Sequence, residues 1–145
     1  VLDCEKVFTK HNVEFIWLDN LTANIFWEIL RDNRIICLDQ FGPHFGILGG
    51  IAREAMFLGC PVITGSLGKQ DYYSRNLYGS EPFIYEAHTP QQIADHIVSF
   101  SSMNSNDFAM VCEKSKEWSE FYGRKSNYDR IFNCIEKLRS SKNKN

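Results

Sequence analysis

Residues 39–64, DQFGPHFGILGGIAREAMFLGCPVIT, constrain the fold of this chain more than any other stretch. An apolar segment (34–38) leads into a loop with several glycines. A helical pattern follows, and a second apolar segment (61–64) comes just after it. This order of strand, glycine loop, helix and strand predicts a βαβ unit with parallel strands. We therefore expect an α/β protein with a Rossmann-like parallel sheet and flanking helices.

The glycine loop indicates a site for an anionic ligand. Glycines let a ligand approach the backbone closely, and a helix N-terminus offers unpaired N–H groups and a partial positive charge. Together these features suit a phosphate or a diphosphate. The spacing, Gly46-x-x-Gly49-Gly50, matches neither the dinucleotide fingerprint nor the P-loop. The alternative, that these glycines only form a tight turn, stays open on the spacing alone.

The wider pattern resembles a sugar-donor site. The run G-x-x-G-x-x-x-x-E-A-M-x-x-G-x-P-V-I, residues 46–63, resembles the nucleotide-sugar-binding half of GT-B glycosyltransferases of the group 1, family 4-like kind. The preceding Asp39-Gln40 resembles the D-Q pair that opens this loop in some capsule and lipopolysaccharide enzymes. The helix at residues 107–122, with Trp118, resembles a helix that ends these enzymes. The resemblance extends over most of the chain.

The resemblance implies roles for particular residues. The carboxylate of Glu54 would bind the ribose hydroxyls of the nucleotide, and the amides of Gly49, Gly50 and Ile51 would hold the diphosphate. From the residues alone, an alternative is that Glu54 is a solvated helix carboxylate that pairs with Arg53.

Gly46 is part of the predicted nucleotide-sugar site, but it also marks a departure from the family. Many members have a glutamate at this position, and the D-Q variants lack it, so no catalytic residue is assigned. Secondary candidates for the site are His44 in the glycine loop and two cations, Lys69 and Arg75. Both cations lie in the long irregular segment 65–82, which follows the end of a strand, where open α/β sheets bind ligands.

The remaining pattern predicts a sequence of short elements. Thr89, Pro90 and Gln92 form a capping-box start for one helix. In the glycine-loop helix the predicted sheet-facing stripe is Ile47, Leu48, Ile51, Ala55 and Leu58. The full prediction is a helix at 3–11, a strand at 13–18, a helix at 22–32, strands at 34–38, 61–64 and 83–85, a helix from 89, a polar linker at 101–106, and C-terminal helices within 107–140, the last burying Tyr128, Ile131, Phe132, Ile135 and Leu138.

Composition excludes several classes of function. The 145 residues carry a net charge of −2, so a basic nucleic-acid-binding face is not expected. No apolar run reaches the roughly 20 residues of a membrane span. The five scattered cysteines have no C-x-x-C pair, which predicts reduced thiols and no metal site. We expect one domain of a cytoplasmic protein, with peripheral association of the parent protein at the inner face of a membrane.

The resemblance implies a transferase. The chain would be an N-terminally truncated donor domain of a retaining glycosyltransferase that moves a sugar from a nucleotide diphosphate sugar, without another cofactor, to a glycan or lipid-linked acceptor. The acceptor would bind a missing N-terminal domain, and this piece alone would be inactive. One alternative is a UDP-sugar epimerase of the same fold, although its R-x-x-T-E-R-P run is absent from the expected place. The other is a degenerate, non-catalytic α/β interaction domain.

Overall fold

The computed structural model describes residues 5–31, 34–41, 48–65 and 80–121, together with residues 129, 132, 133 and 135. Within these residues the sheet has three parallel strands in the order β1-β2-β3. The protein is thus α/β with a small open parallel sheet, which agrees with a Rossmann-like arrangement at this coarse level. The elements are α1 (Glu5–Lys10), α2 (Ala23–Arg31), β1 (Cys37–Asp39), α3 (Gly50–Phe57), β2 (Val62–Thr64), β3 (Tyr85–Glu86), α4 (Pro90–Ser102) and α5 (Ser105–Trp118).

The predicted βαβ unit is confirmed. β1 and β2 pair in parallel with Cys37 opposite Val62 and Asp39 opposite Thr64, and α3 is the helix between them. Neighbouring residues of β2 belong to different clusters: Val62 joins the apolar cluster around α3, and Ile63 joins the cluster around α4. Since successive side chains of a strand point to opposite faces, both faces of the sheet are covered, as parallel sheets require.

α3 approaches the sheet through small residues. Ala52, Ala55 and Met56 are fully buried on its inner face. Ile51 does not belong to that face, contrary to the predicted stripe, because its side chain is 55% exposed. The helix ends at Phe57, and Gly59, the predicted stop, follows two residues later with a φ of +86°, the left-handed conformation that glycine adopts without strain. Ile47, also assigned to the stripe, lies outside the described residues.

The start of α4 follows the prediction closely. The Thr89 side chain accepts a hydrogen bond from the Gln92 amide, the Gln92 side chain accepts from the Thr89 amide, and Pro90 is the first helical residue. Ile93, Ile97 and Phe100 are buried as predicted. The predicted polar linker at 101–106 is wrong, because α4 continues to Ser102 and α5 begins at Ser105, where the Asn104 side chain caps it.

Arg34 fastens this tight junction between α4 and α5. Its guanidinium donates hydrogen bonds to the carbonyl oxygens of Phe100 (2.7 Å) and Met103 (2.8 Å) at the C-terminus of α4. It also lies 4.3 Å from the centre of the Phe108 ring on α5. A cation suits both the negative end of a helix and an aromatic face. The predicted strand at 34–38 therefore begins later, at Cys37, because Arg34 serves the helix junction instead.

Other expectations need correction. Residues 13–18 form no strand, and Ile16 and Trp17 are 54% and 75% exposed. The strand predicted at 83–85 is displaced to Tyr85–Glu86. Phe132 and Ile135, predicted to be buried in the last helix, are 64% and 42% exposed. Most of that helix, with Tyr128, Ile131 and Leu138, lies outside the described residues. Among the described helices, none has the length and apolarity that crossing a bilayer requires.

Three of the five cysteines fall in the described part, and all three are free thiols. Burial raises the pKa of Cys37 to about 12 and that of Cys60 to about 11, so both stay protonated at neutral pH. Cys60 also anchors the helices around β2: its Sγ donates to the Leu30 carbonyl oxygen, and its own carbonyl oxygen accepts from the Ser115 hydroxyl at 3.0 Å. Cys37 and Cys60 therefore act as small core residues.

Candidate functional site

The candidate site lies where β1 ends and α3 begins. Asp39 is the last residue of β1, and Gly49 is the N-cap of α3. The first N–H groups of a helix have no partner within it, so the amides at the start of α3 are available to a ligand. The N-cap residue, Gly49, has no side chain that could cap this helix end. The site thus has the donor groups and the partial positive charge of an anion-binding helix N-terminus.

The two glycines of this helix end have different surroundings. A Cβ on Gly49 would lie 2.6 Å from Oδ2 of Asp39 and 3.0 Å from Nε2 of Gln40. Its φ of −62° is ordinary for any residue, so Gly49 is required for close approach rather than for its backbone angles. A Cβ on Gly50 would meet nothing within 4 Å among the described residues. Gly49 therefore makes room for the Asp39-Gln40 pair, and Gly50 faces open space.

Gln40 holds the loop in place at the end of β1. Its φ is +36°, in the left-handed region that a non-glycine residue rarely adopts. Its carbonyl oxygen accepts hydrogen bonds from the Gly65 amide (3.0 Å) and from the Thr64 hydroxyl (3.3 Å), both at the end of β2. These bonds join the ends of β1 and β2 beside the start of α3. The strained backbone of Gln40 is therefore held in place by its surroundings.

Asp39 is the residue that sequence reasoning missed as part of the site. Its side chain is buried at 8% exposure, and its Oδ2 has no hydrogen-bond partner among the described residues. Burial raises the pKa of this carboxyl, while the approach of the Gly49 amide partly offsets the rise. The available signal was a carboxylate at the end of a buried parallel strand, directly before a glycine loop. From the sequence, Asp39 enters only through the D-Q resemblance.

Glu54 lies on the outer face of α3 and is exposed. Its Oε2 accepts a hydrogen bond of 2.9 Å from Nε1 of Trp27 on α2. The pairing with Arg53 that the sequence allowed is not the one observed for this carboxylate. Ile51, one turn earlier and also exposed, lies on the same side of the helix. The structure therefore brings Glu54 and Ile51 together with an indole on the open face, one turn from Gly50.

The four other predicted site residues lie outside the described residues: Gly46, His44, Lys69 and Arg75. Within the described residues, no group of three or more histidine, cysteine, aspartate or glutamate side chains is arranged to hold a metal ion. Glu86, the last residue of β3, makes an exposed pair with His88 at 3.0 Å. The described site thus consists of Asp39, Gln40, Gly49, Gly50, Ile51 and Glu54.

Comparison with protein-family models, curated proteins and solved structures finds no match for the chain. The described site combines the first amides of a helix, an open approach over Gly50, an exposed carboxylate one turn along the helix, and a buried carboxylate at its base. Chemically it can bind an anion at the helix end while Glu54 accepts hydrogen bonds from hydroxyl groups.

Proposed function

We propose that the chain is the nucleotide-sugar-binding domain of a glycosyltransferase, acting on a nucleotide diphosphate sugar with retention of configuration. The observation that supports it best is the β1-loop-α3-β2 unit, in which Gly49 is the N-cap of α3, Gly50 is its first residue, and the exposed Glu54 lies one turn further on. The acceptor, a glycan or a lipid-linked glycan, would be bound by a second domain. We further propose that the parent protein works in the cytoplasm at the inner face of a membrane.

In this proposal the roles are divided along α3. The N–H groups of Gly49, Gly50 and Ile51 stabilise the diphosphate as it leaves, because fixed dipoles favour developing negative charge. The Glu54 carboxylate accepts hydrogen bonds from two ribose hydroxyls, and Trp27 steadies it from the side. The lack of a Cβ on Gly50 leaves room for a phosphate against the backbone.

The test is a thermal-shift series with UDP, GDP, ADP and their sugars. A ligand at about 100 times its Kd should raise the free energy of unfolding by roughly 2.7 kcal/mol. A shift with one nucleotide that disappears in Glu54→Ala supports the proposal and names the base. Glu113→Ala, which removes an exposed glutamate from α5, controls for the change in charge. Trp27→Phe removes the same indole–carboxylate hydrogen bond as Glu54→Ala but keeps the carboxylate, and so controls for the loss of that bond. No shift with any nucleotide contradicts the proposal.

A second candidate is a non-catalytic interaction domain. It is favoured by the exposed apolar side chains of residues 15–18, above all Ile16 and Trp17. Scattered exposed apolar residues are normal on proteins, but adjacent ones more often mark a contact surface. An unchanged melting temperature with every nucleotide, together with a stable fold, would favour this candidate.

A further inference from the structure

The N-terminus of α3 contains an arrangement that a simple anion site does not need. The Asp39 carboxylate is more than nine-tenths buried, and Oδ2 lies against the N-cap residue, 2.6 Å from the position of a Cβ on Gly49. That oxygen has no hydrogen-bond partner in the described part of the chain. A buried carboxylate oxygen without a partner is expensive to maintain, so such an atom points to a group that meets it in another state.

The surroundings of Asp39 contain no compensating cation among the described residues. From α3 it faces the Gly49 amide, which is a dipole and not a full charge. From its own strand it affects the Cys37 thiol, which stays protonated. From β2 it lies opposite Thr64, and in the loop it is followed by the uncharged Gln40. A second negative charge at this helix end would therefore meet a carboxylate that no described cation compensates, in a poorly solvated place.

We propose that the N-terminus of α3 binds a phosphate or diphosphate group together with one proton, and that Asp39 is the residue that takes the proton. The inference rests on the proposed function, which assigns the diphosphate to these amides. The proton comes from solvent and forms an O–H bond on Oδ2, and no bond of the ligand changes. The neutral acid then donates this hydrogen to a phosphate oxygen, which satisfies the unpartnered atom and removes the repulsion.

This coupling has a direct consequence for affinity. Binding of the anion tightens as the pH falls, because fewer carboxylates remain ionised in the free protein. Each pH unit above the pKa of Asp39 in the free protein lowers the affinity by up to tenfold, beyond any change in the ionisation of the ligand. Asp39→Asn resembles the protonated acid in shape and places an N–H donor near the position of Oδ2. This variant binds the anion more tightly at neutral pH and loses the carboxylate part of the pH dependence.

The experiment is isothermal titration calorimetry with inorganic pyrophosphate between pH 5.5 and 8, in buffers of different ionisation enthalpy. The wild type, Asp39→Asn and Asp95→Asn are compared. Asp95 is an exposed carboxylate on α4 that accepts from Gln91, so its variant matches the change in charge away from the site. The ratio of affinities for Asp39→Asn and the wild type should rise with pH, toward tenfold or more. For Asp95→Asn the ratio should stay constant.

Pyrophosphate carries no nucleobase, so the result does not depend on which nucleotide the protein uses. Equal pH dependence in the wild type and Asp39→Asn overturns the inference, as does failure of both to bind millimolar pyrophosphate. Binding of pyrophosphate with the expected coupling, but of no nucleotide sugar, leaves the inference standing and contradicts the proposed function. If Asp39→Asn does not fold, the pKa of Asp39 is measured instead in the carbon-13-labelled wild type, from the NMR chemical shift of its carboxyl carbon. Pyrophosphate must then raise the pKa of this carboxyl.

Discussion

The N-termini of α3 and α4 are built on opposite plans. At α4 the cap comes from the helix's own residues: Thr89 and Gln92 bond each other's amides, and Pro90 occupies the first turn. At α3 the N-cap residue is Gly49, which has no side chain to cap the helix, and the group beside it is the buried Asp39, brought there from the end of β1. A helix end that only needs stability closes itself locally. The end of α3 instead has a carboxylate from another element beside its first amides, and burial disfavours the ionised form of that carboxylate.

The largest effect is expected from the two adjacent glycines of α3. Gly49→Ala places a methyl group against Asp39 and Gln40, and such overpacking should lower the free energy of unfolding by about 1–3 kcal/mol. Gly50→Ala meets open space and should raise it by about 0.4–1 kcal/mol, because alanine restricts the unfolded chain. Urea unfolding monitored by circular dichroism measures both. The same sign for both variants would refute the distinction between the two glycines.

At α4 the prediction is a moderate and local loss. Thr89→Ala removes the acceptor for the Gln92 amide and should lower the free energy of unfolding by about 1 kcal/mol. Since the hydroxyl does not titrate, the loss should be the same at pH 5 and pH 8. Thr89→Ser, which keeps the hydroxyl, is the control and should stay close to the wild type. A loss that changes with pH would remove the contrast with α3.

At α3 the corresponding change depends on pH. The pKa of Asp39 is raised above the ordinary value of 3.8, so this carboxyl favours the folded state fully only below that value. The contribution is lost as the pH rises through the pKa of the folded protein. Asp39→Asn should therefore be more stable than the wild type at pH 7, and its advantage should shrink toward pH 4. Paired urea titrations across this range measure the difference, and a constant difference would mean that Asp39 is not destabilised by burial.

The contrast between the two helix ends also explains how far sequence reasoning reaches. The capping box of α4 and the order of the βαβ unit involve residues close in sequence, and both were predicted correctly. The local pattern places Arg34 in a strand. Its actual role depends on a hydrogen bond to Phe100, 66 positions away in the sequence, which a local pattern does not reveal. The apolar segment 13–18 had the composition of a strand, but a strand forms only where a neighbouring edge pairs with it.

The same limit applies to the candidate site. The glycine spacing indicated the helix end, but not that Gly49 is packed against Asp39, whereas Gly50 is open. The burial of Asp39 depends on how the end of β1 meets α3, which no local pattern encodes. Ile51 was assigned to the sheet face because an apolar residue at helical spacing is normally buried there. Its exposure reflects the narrow alanine face of Ala52 and Ala55, which suffices for contact with the sheet.

The smallest effect is expected at Glu54, where stability and function should separate. Trp27→Phe removes the indole donor of an exposed hydrogen bond and should lower the free energy of unfolding by no more than about 0.5–1.5 kcal/mol. Glu54→Gln keeps an acceptor for the indole and should change stability less. Nucleotide affinity should respond in the opposite order, because a carboxylate accepts ribose hydroxyls more strongly than an amide does. Isothermal titration calorimetry, with the nucleotide that gives a shift in the thermal-shift series, measures the affinities of the two variants. If Trp27→Phe weakens binding more than Glu54→Gln, the indole is itself the ligand contact and Glu54 merely orients it.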